Sequence, residues 1–123
     1  MRTSAVPVFA LVFLSVLVAA GPAPHLDLAE SHPAADETVA EPPAQVWLAF
    51  TEVPDPERST FLIQGPEGTV ELGDVVPGED TKVLHADVKG SMPPGVYTVE
   101  WTAAPMDDHA VRGRFNFFVD VSD

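Results

Sequence analysis

The sequence predicts an all-β protein: a single antiparallel β-sandwich or Greek-key barrel of immunoglobulin-like type, with about seven strands. Three observations carry this expectation. Thirteen prolines and eight glycines cut the chain into short pieces. Past residue 24, no stretch repeats apolar residues at i, i+3, i+4 and i+7 over three turns, so no helix is expected. Short runs of alternating or β-branched residues recur instead, each bounded by turn residues.

The strands follow in order. "HLDLAES", from His25, opens the domain. "AQVWLAF" puts Val46, Leu48 and Phe50 on one face and Trp47 on the other. "STFLIQG" is short, apolar and β-branched, and "EGTVEL" follows a Gly-Pro-Glu-Gly turn. "TKVLHADV" alternates Val83 and His85 with Leu84 and Ala86. "GVYTVEWTA" sets Tyr97, Val99, Trp101 and Ala103 against Val96, Thr98, Glu100 and Thr102. "GRFNFFVD" alternates Phe115, Phe117 and Val119. The period of two gives each strand one face for the core. "PAADETVAEPPA" and "TEVPDPERS" are acidic, proline-containing loops, and Pro42, Pro43, Pro54 and Pro56 keep those segments out of central strands. No internal repeat or low-complexity segment appears.

Ahead of the domain, one positive charge is followed by an apolar run from Ala5 to Ala20. This is the layout of a secretory signal peptide over residues 1–20, and the run is short for a membrane span, which needs about 20 residues. Small residues at Val18 and Ala20 favour cleavage after Ala20. The pair Gly21 and Ala23 offers a second site that leaves Pro24 first, so the boundary falls within 20–24 and the domain spans 25–121. The expectation is a periplasmic or secreted protein whose mature domain does not insert into membrane.

The chain has no cysteine, so the exported domain folds without disulfides, and thiolate catalysis and Cys-ligated metals are excluded. Nineteen acidic residues face six basic ones; without Arg2 the balance moves from −13 to −14. Such a surface repels nucleic acid and anionic membrane and keeps the protein soluble.

Four histidines remain: His25, His32, His85 and His109. In a sandwich, the start of the first strand and the loop between the last two strands can share one end. On that arrangement His25 and His109 would converge, with Asp107 two residues before His109. Two imidazoles and a carboxylate suit Cu(II) among common divalent ions. The competing reading of the same residues is an ordinary solvated turn. His85 reads as a structural strand residue, His32 as a loop residue or auxiliary ligand, Met106 as a packing residue, and Trp47 and Trp101 as core or near-core rings.

"YTVEWTAAPMDDHAVRGRFNF", Tyr97 to Phe117, resembles the C-terminal signature of the CopC/PcoC copper-resistance family, in which a Tyr-Thr-Val-x-Trp strand enters an Asp-x-His loop and then an aromatic strand. "HLDLAESHPAADETVAEPPAQVWLAF" resembles the family's opening, with Leu28, Ser31, Pro33 and Ala34 in frame and His25 on its first mature residue. "GPEG" and "MPPGVYTV" fit as well. The resemblance implies a periplasmic Cu(II)-binding protein with one site at His25, Asp107 and His109, acting as a copper carrier or buffer beside a CopD-like inner-membrane transporter. It implies a binding protein, not an enzyme. The family's second, methionine-rich Cu(I) site is not expected: the only methionines are Met1, Met92 and Met106, and "TEVPDPERST" has none. Asp108 stands where the family has glycine. The alternative function is a metal-free immunoglobulin-like adhesion or assembly module.

Overall fold

The computed structural model describes residues 25–120. The signal reading over 1–20, its 20–24 boundary and Val121 lie outside the described residues. Among the described residues nine strands form: β1 (Leu28–His32), β2 (Thr38–Val39), β3 (Gln45–Phe50), β4 (Thr60–Gly65), β5 (Gly68–Val70), β6 (Val76–Pro77), β7 (Val83–Asp87), β8 (Gly95–Ala103) and β9 (Val111–Val119). A 3-10 turn, Pro56–Arg58, precedes β4. No helix of the described residues is long and apolar enough to cross a membrane.

Two sheets pack face to face. One has the order β1-β3-β7-β6 and the other β2-β9-β8-β4-β5. The seven expected strands are all present, and two more join them. β2 lies inside the acidic loop "PAADETVAEPPA" and pairs parallel to β9, so the sandwich is not purely antiparallel. β6 pairs antiparallel with β7 at the sheet's outer edge. Each is two residues long, too short to carry an alternating pattern, and Pro77 is tolerated because β6 is an edge strand.

The inward faces are those the alternation marks. Val46, Leu48 and Phe50 of β3 and Leu84 and Ala86 of β7 face Ile63, Tyr97, Val99, Trp101, Ala103, Phe117 and Val119 from the other sheet, all buried. A buried side chain of this size contributes about 1.5–3 kcal/mol by leaving water. Tyr97 stacks on Phe117 with centroids 5.4 Å apart, and its hydroxyl donates to the Pro93 carbonyl, so the buried phenol is satisfied. Trp101 meets Phe50 edge-on at 5.4 Å. Its indole lies over Gly113 on the neighbouring strand, where a Cβ would stand 2.6 Å from Cζ2. Only glycine leaves that space.

Trp47 points outward from β3 and is half-buried, not core. Strand register places it between His32 of β1 and His85 of β7. The His32 ring stacks on the indole at 6.2 Å and 24°.

Candidate metal centre

The end of the sandwich where β1 starts is built from three segments. β1 begins opposite the end of β3, with Leu28 paired to Phe50. The chain then crosses through 51–59 to β4, whose first residue, Thr60, pairs with Thr102 near the end of β8. From Ala103 the chain turns through 104–110 into β9. The residues before β1, the crossover and the β8–β9 loop therefore share one end.

His25 is held there by its neighbours' backbone. Leu26 is buried at 1% exposure and pins the segment into the core, while His25 and Asp27 on either side are exposed. The Thr51 hydroxyl donates to the His25 carbonyl at 3.3 Å and accepts from the Asp27 amide at 2.9 Å. The Thr51 amide donates to the Asp27 carbonyl at 2.9 Å. A docked first strand fixes His25 at the edge of this end.

Asp107 and His109 lie on the other side of the crossover. Ala104 and Pro105 are buried, and the next five residues, Met106 to Ala110, are exposed. Met106 is 63% exposed, so it does not pack as expected. The base of the loop is stapled to the crossover: the Asp55 amide donates to the Ala104 carbonyl at 2.7 Å, and Pro54 bridges Pro105. Ser59, buried at 5% exposure, donates to the Asp55 carbonyl at 2.7 Å and accepts from the Ala104 amide at 3.4 Å. Arg58 reaches further along the loop. One guanidinium nitrogen, Nη1, donates to the Pro105 carbonyl at 3.1 Å, and the other, Nη2, to the Asp108 carbonyl at 3.0 Å. Within the loop, the His109 amide donates to Asp108 Oδ1 at 2.7 Å, which gives Asp108 a local backbone role.

Topology thus brings the segments bearing His25, Asp107 and His109 to one end. It does not gather their side chains: among the described residues, no group of three or more His, Asp or Glu comes together to hold a metal ion. Two imidazoles and a carboxylate are donors that a tetragonal cupric ion accepts, and all three residues are exposed on segments without strand pairing.

His32 and His85 sit apart from this set, in the row across the outer face of the four-stranded sheet. His85 is half-buried, as its strand position implies, and its Nδ1 has no hydrogen-bond partner. His32 ends β1, a strand away from the loop set, and belongs to the sheet.

The reading of residue types does not single out Arg58 or Ser59. Both lie in a segment that reads as an acidic loop, and their partners here are backbone atoms, which leave no trace in side-chain patterns. The one available signal is a lone cation among Glu52, Asp55 and Glu57.

The CopC domain family model matches residues 28–120. Protein YobA of Escherichia coli K12 is 32% identical over 97 residues, covering 77% of this chain and 78% of that protein. Among solved structures, PcoC, a methionine-rich copper resistance protein from Escherichia coli, superposes with a TM-score of 0.71 at 30% identity, covering 79% of this chain and 100% of that one. CopC from Methylosinus trichosporium OB3b gives 0.70 at 28% identity, covering 78% and 94%.

Proposed function

This chain belongs to the CopC family, and from that premise we propose that it binds one Cu(II) ion outside the cytoplasm and serves as a copper carrier or buffer. His25 and His109 supply imidazoles and Asp107 a carboxylate. The neutral rings coordinate and the carboxylate offsets part of the ion's charge. The observation that supports this most directly is the placement of the Asp107–His109 loop and the His25 segment at one end of the sandwich. The family membership and the copper-resistance proteins among the structural relatives support copper as the cargo.

The role is binding, not catalysis. Copper is taken up and handed on, with a CopD-like membrane transporter as the partner. No methionine-rich site accompanies it, because the crossover 51–59 contains no methionine. Residues 1–20 act as the export signal, and the domain over 25–121 is the copper-binding unit.

Titration of the purified exported protein with Cu(II), followed by electron paramagnetic resonance, tests the reading. One equivalent should bind with a tetragonal spectrum that shows two nitrogen donors. A protein that takes up no Cu(II) in stoichiometric amount refutes it and favours the metal-free adhesion or assembly module.

A further inference from the structure

We propose that Arg58 is a positioning residue for the copper loop: its guanidinium presets the backbone that carries Asp107 and His109. This rests on the Cu(II) reading above. Arg58 Nη1 and Nη2 donate to the carbonyls of Pro105 and Asp108, so the fork clamps the loop on both sides of Met106 and Asp107. His109 follows the second clamped carbonyl by one residue, and its amide donates to the Asp108 side chain at Oδ1. The lower part of the loop is already fixed by Asp55 and Ser59. Arg58 extends that support from the buried base to the exposed part.

The need for a brace follows from the loop's composition. Met106 to Ala110 are exposed and contribute nothing to the core. Fixing a residue's backbone costs conformational entropy. Without a brace that cost falls on metal binding; with one it is met on folding, and the ligand backbone is waiting when the ion arrives. Arginine suits the task because its planar, rigid fork reaches two acceptors at once. A lysine is a point charge on a flexible stem and cannot hold both carbonyls in the same way.

The guanidinium charge acts in the other direction, since a cation near the site repels Cu(II). The two effects separate by substitution. Arg58→Lys keeps the charge and loses the fork, whereas Arg58→Gln loses both. If positioning dominates, both variants bind Cu(II) more weakly than wild type. Arg58→Lys should lose about tenfold, and Arg58→Gln somewhat less because the repulsion goes with the fork.

The experiment has a metal-free arm and a copper arm. In the metal-free protein, amide hydrogen exchange of His109, whose bond to Asp108 Oδ1 sits on the clamped backbone, should be at least about tenfold faster in both variants while core amides stay protected. With copper, competition against a chromogenic chelator gives the affinities, and the variants' resonance spectra should broaden as the ligand geometry loosens. Wild-type affinity together with unchanged loop exchange in Arg58→Lys overturns the assignment. Tighter binding by Arg58→Gln overturns it as well, because the charge and not the fork would then decide. A wild-type protein that takes up no Cu(II) overturns the copper reading instead, an outcome distinct from both.

Discussion

The β8–β9 hairpin has two ends of opposite character. Where β8 begins and β9 finishes, Tyr97 and Phe117 stack in the core, the Tyr97 hydroxyl is satisfied by Pro93, and both side chains are fully buried. Where β8 finishes and β9 begins, the same two strands open into five consecutive exposed residues, whose buried base is held by Asp55 and Ser59 and whose exposed part is reached by Arg58, all from another segment. One end is stabilised by side chains leaving water, the other by hydrogen bonds to backbone. A packed end tolerates little change but needs no partner. A braced end leaves its side chains free for a ligand. The core and the proposed ligands Asp107 and His109 therefore rest on separate parts of one hairpin.

The largest effect belongs to the open end. His109→Ala should lower Cu(II) affinity by about a thousandfold, some 4 kcal/mol, while leaving the unfolding midpoint nearly unchanged because the side chain is exposed. His85→Ala, on the sheet's outer face, should change affinity by less than about threefold. Equal affinity losses in the two variants would mean that the ligands are misassigned and that the contrast between ends does not hold.

Next comes the N-terminus. The signal layout gives Gly21 as the first residue of the exported protein, which leaves His25 only its ring to offer. A protein made to begin at His25 gains an α-amine beside that ring, and the resulting chelate should bind Cu(II) about a hundredfold more tightly, near 2.7 kcal/mol. Intact mass of protein from the native host fixes the first residue, and titration compares the two forms. A mass matching His25 as residue one reverses the processing expectation, and equal affinities would show that the amine is not a ligand.

Between the two ends lies Gly113, under the Trp101 indole. Gly113→Ala places a methyl where no space exists, so the ring must move against Phe50. Overpacking of this kind costs about 2 kcal/mol, and the unfolding midpoint of a domain this size should fall by about 10 °C. Near-ultraviolet circular dichroism should report the displaced indole. If affinity falls as steeply as stability, the packed and open parts are coupled.

Much of the packed part was legible in residues. The period of two in β3, β8 and β9 marks the inward faces directly, because a strand with one buried face cannot slip by one residue without reversing it. Trp47 misleads because a large ring is assumed to seek the core; here it covers the outside of the sheet between two histidines. β2 and β6 escape because a pair of residues has no period, and their pairing is decided by where longer strands leave edges. At the open end, Asp107 and His109 stand out as residue types, whereas the brace does not. Arg58 acts on carbonyls 47 and 50 positions away, and every residue owns a carbonyl. Nothing in a side-chain pattern distinguishes the two it meets.

The smallest expected effect sits at the packed end, on the chain's single tyrosine. Burial pushes the Tyr97 phenol above its ordinary value of 10.0, and the charge of Glu67 adds to the rise. Below the unfolded phenol's range both states are neutral, so the phenol's contribution to stability is fully present. As pH climbs past about 10, the unfolded chain loses its proton before the folded one does, and stability is lost through the folded value. Tyr97→Phe removes the titrating group together with the bond to Pro93. At neutral pH it should therefore cost about 1 kcal/mol, the worth of one hydrogen bond. Above pH about 10 the wild type should decline toward the variant, because only the wild type has a phenol to ionise. Urea unfolding of both proteins between neutral and alkaline pH measures the gap between them. A gap that stays constant across that range would mean that the phenol does not link to folding. Copper binding at neutral pH should be the same in both proteins, since the substitution touches the end of the hairpin that carries no ligand.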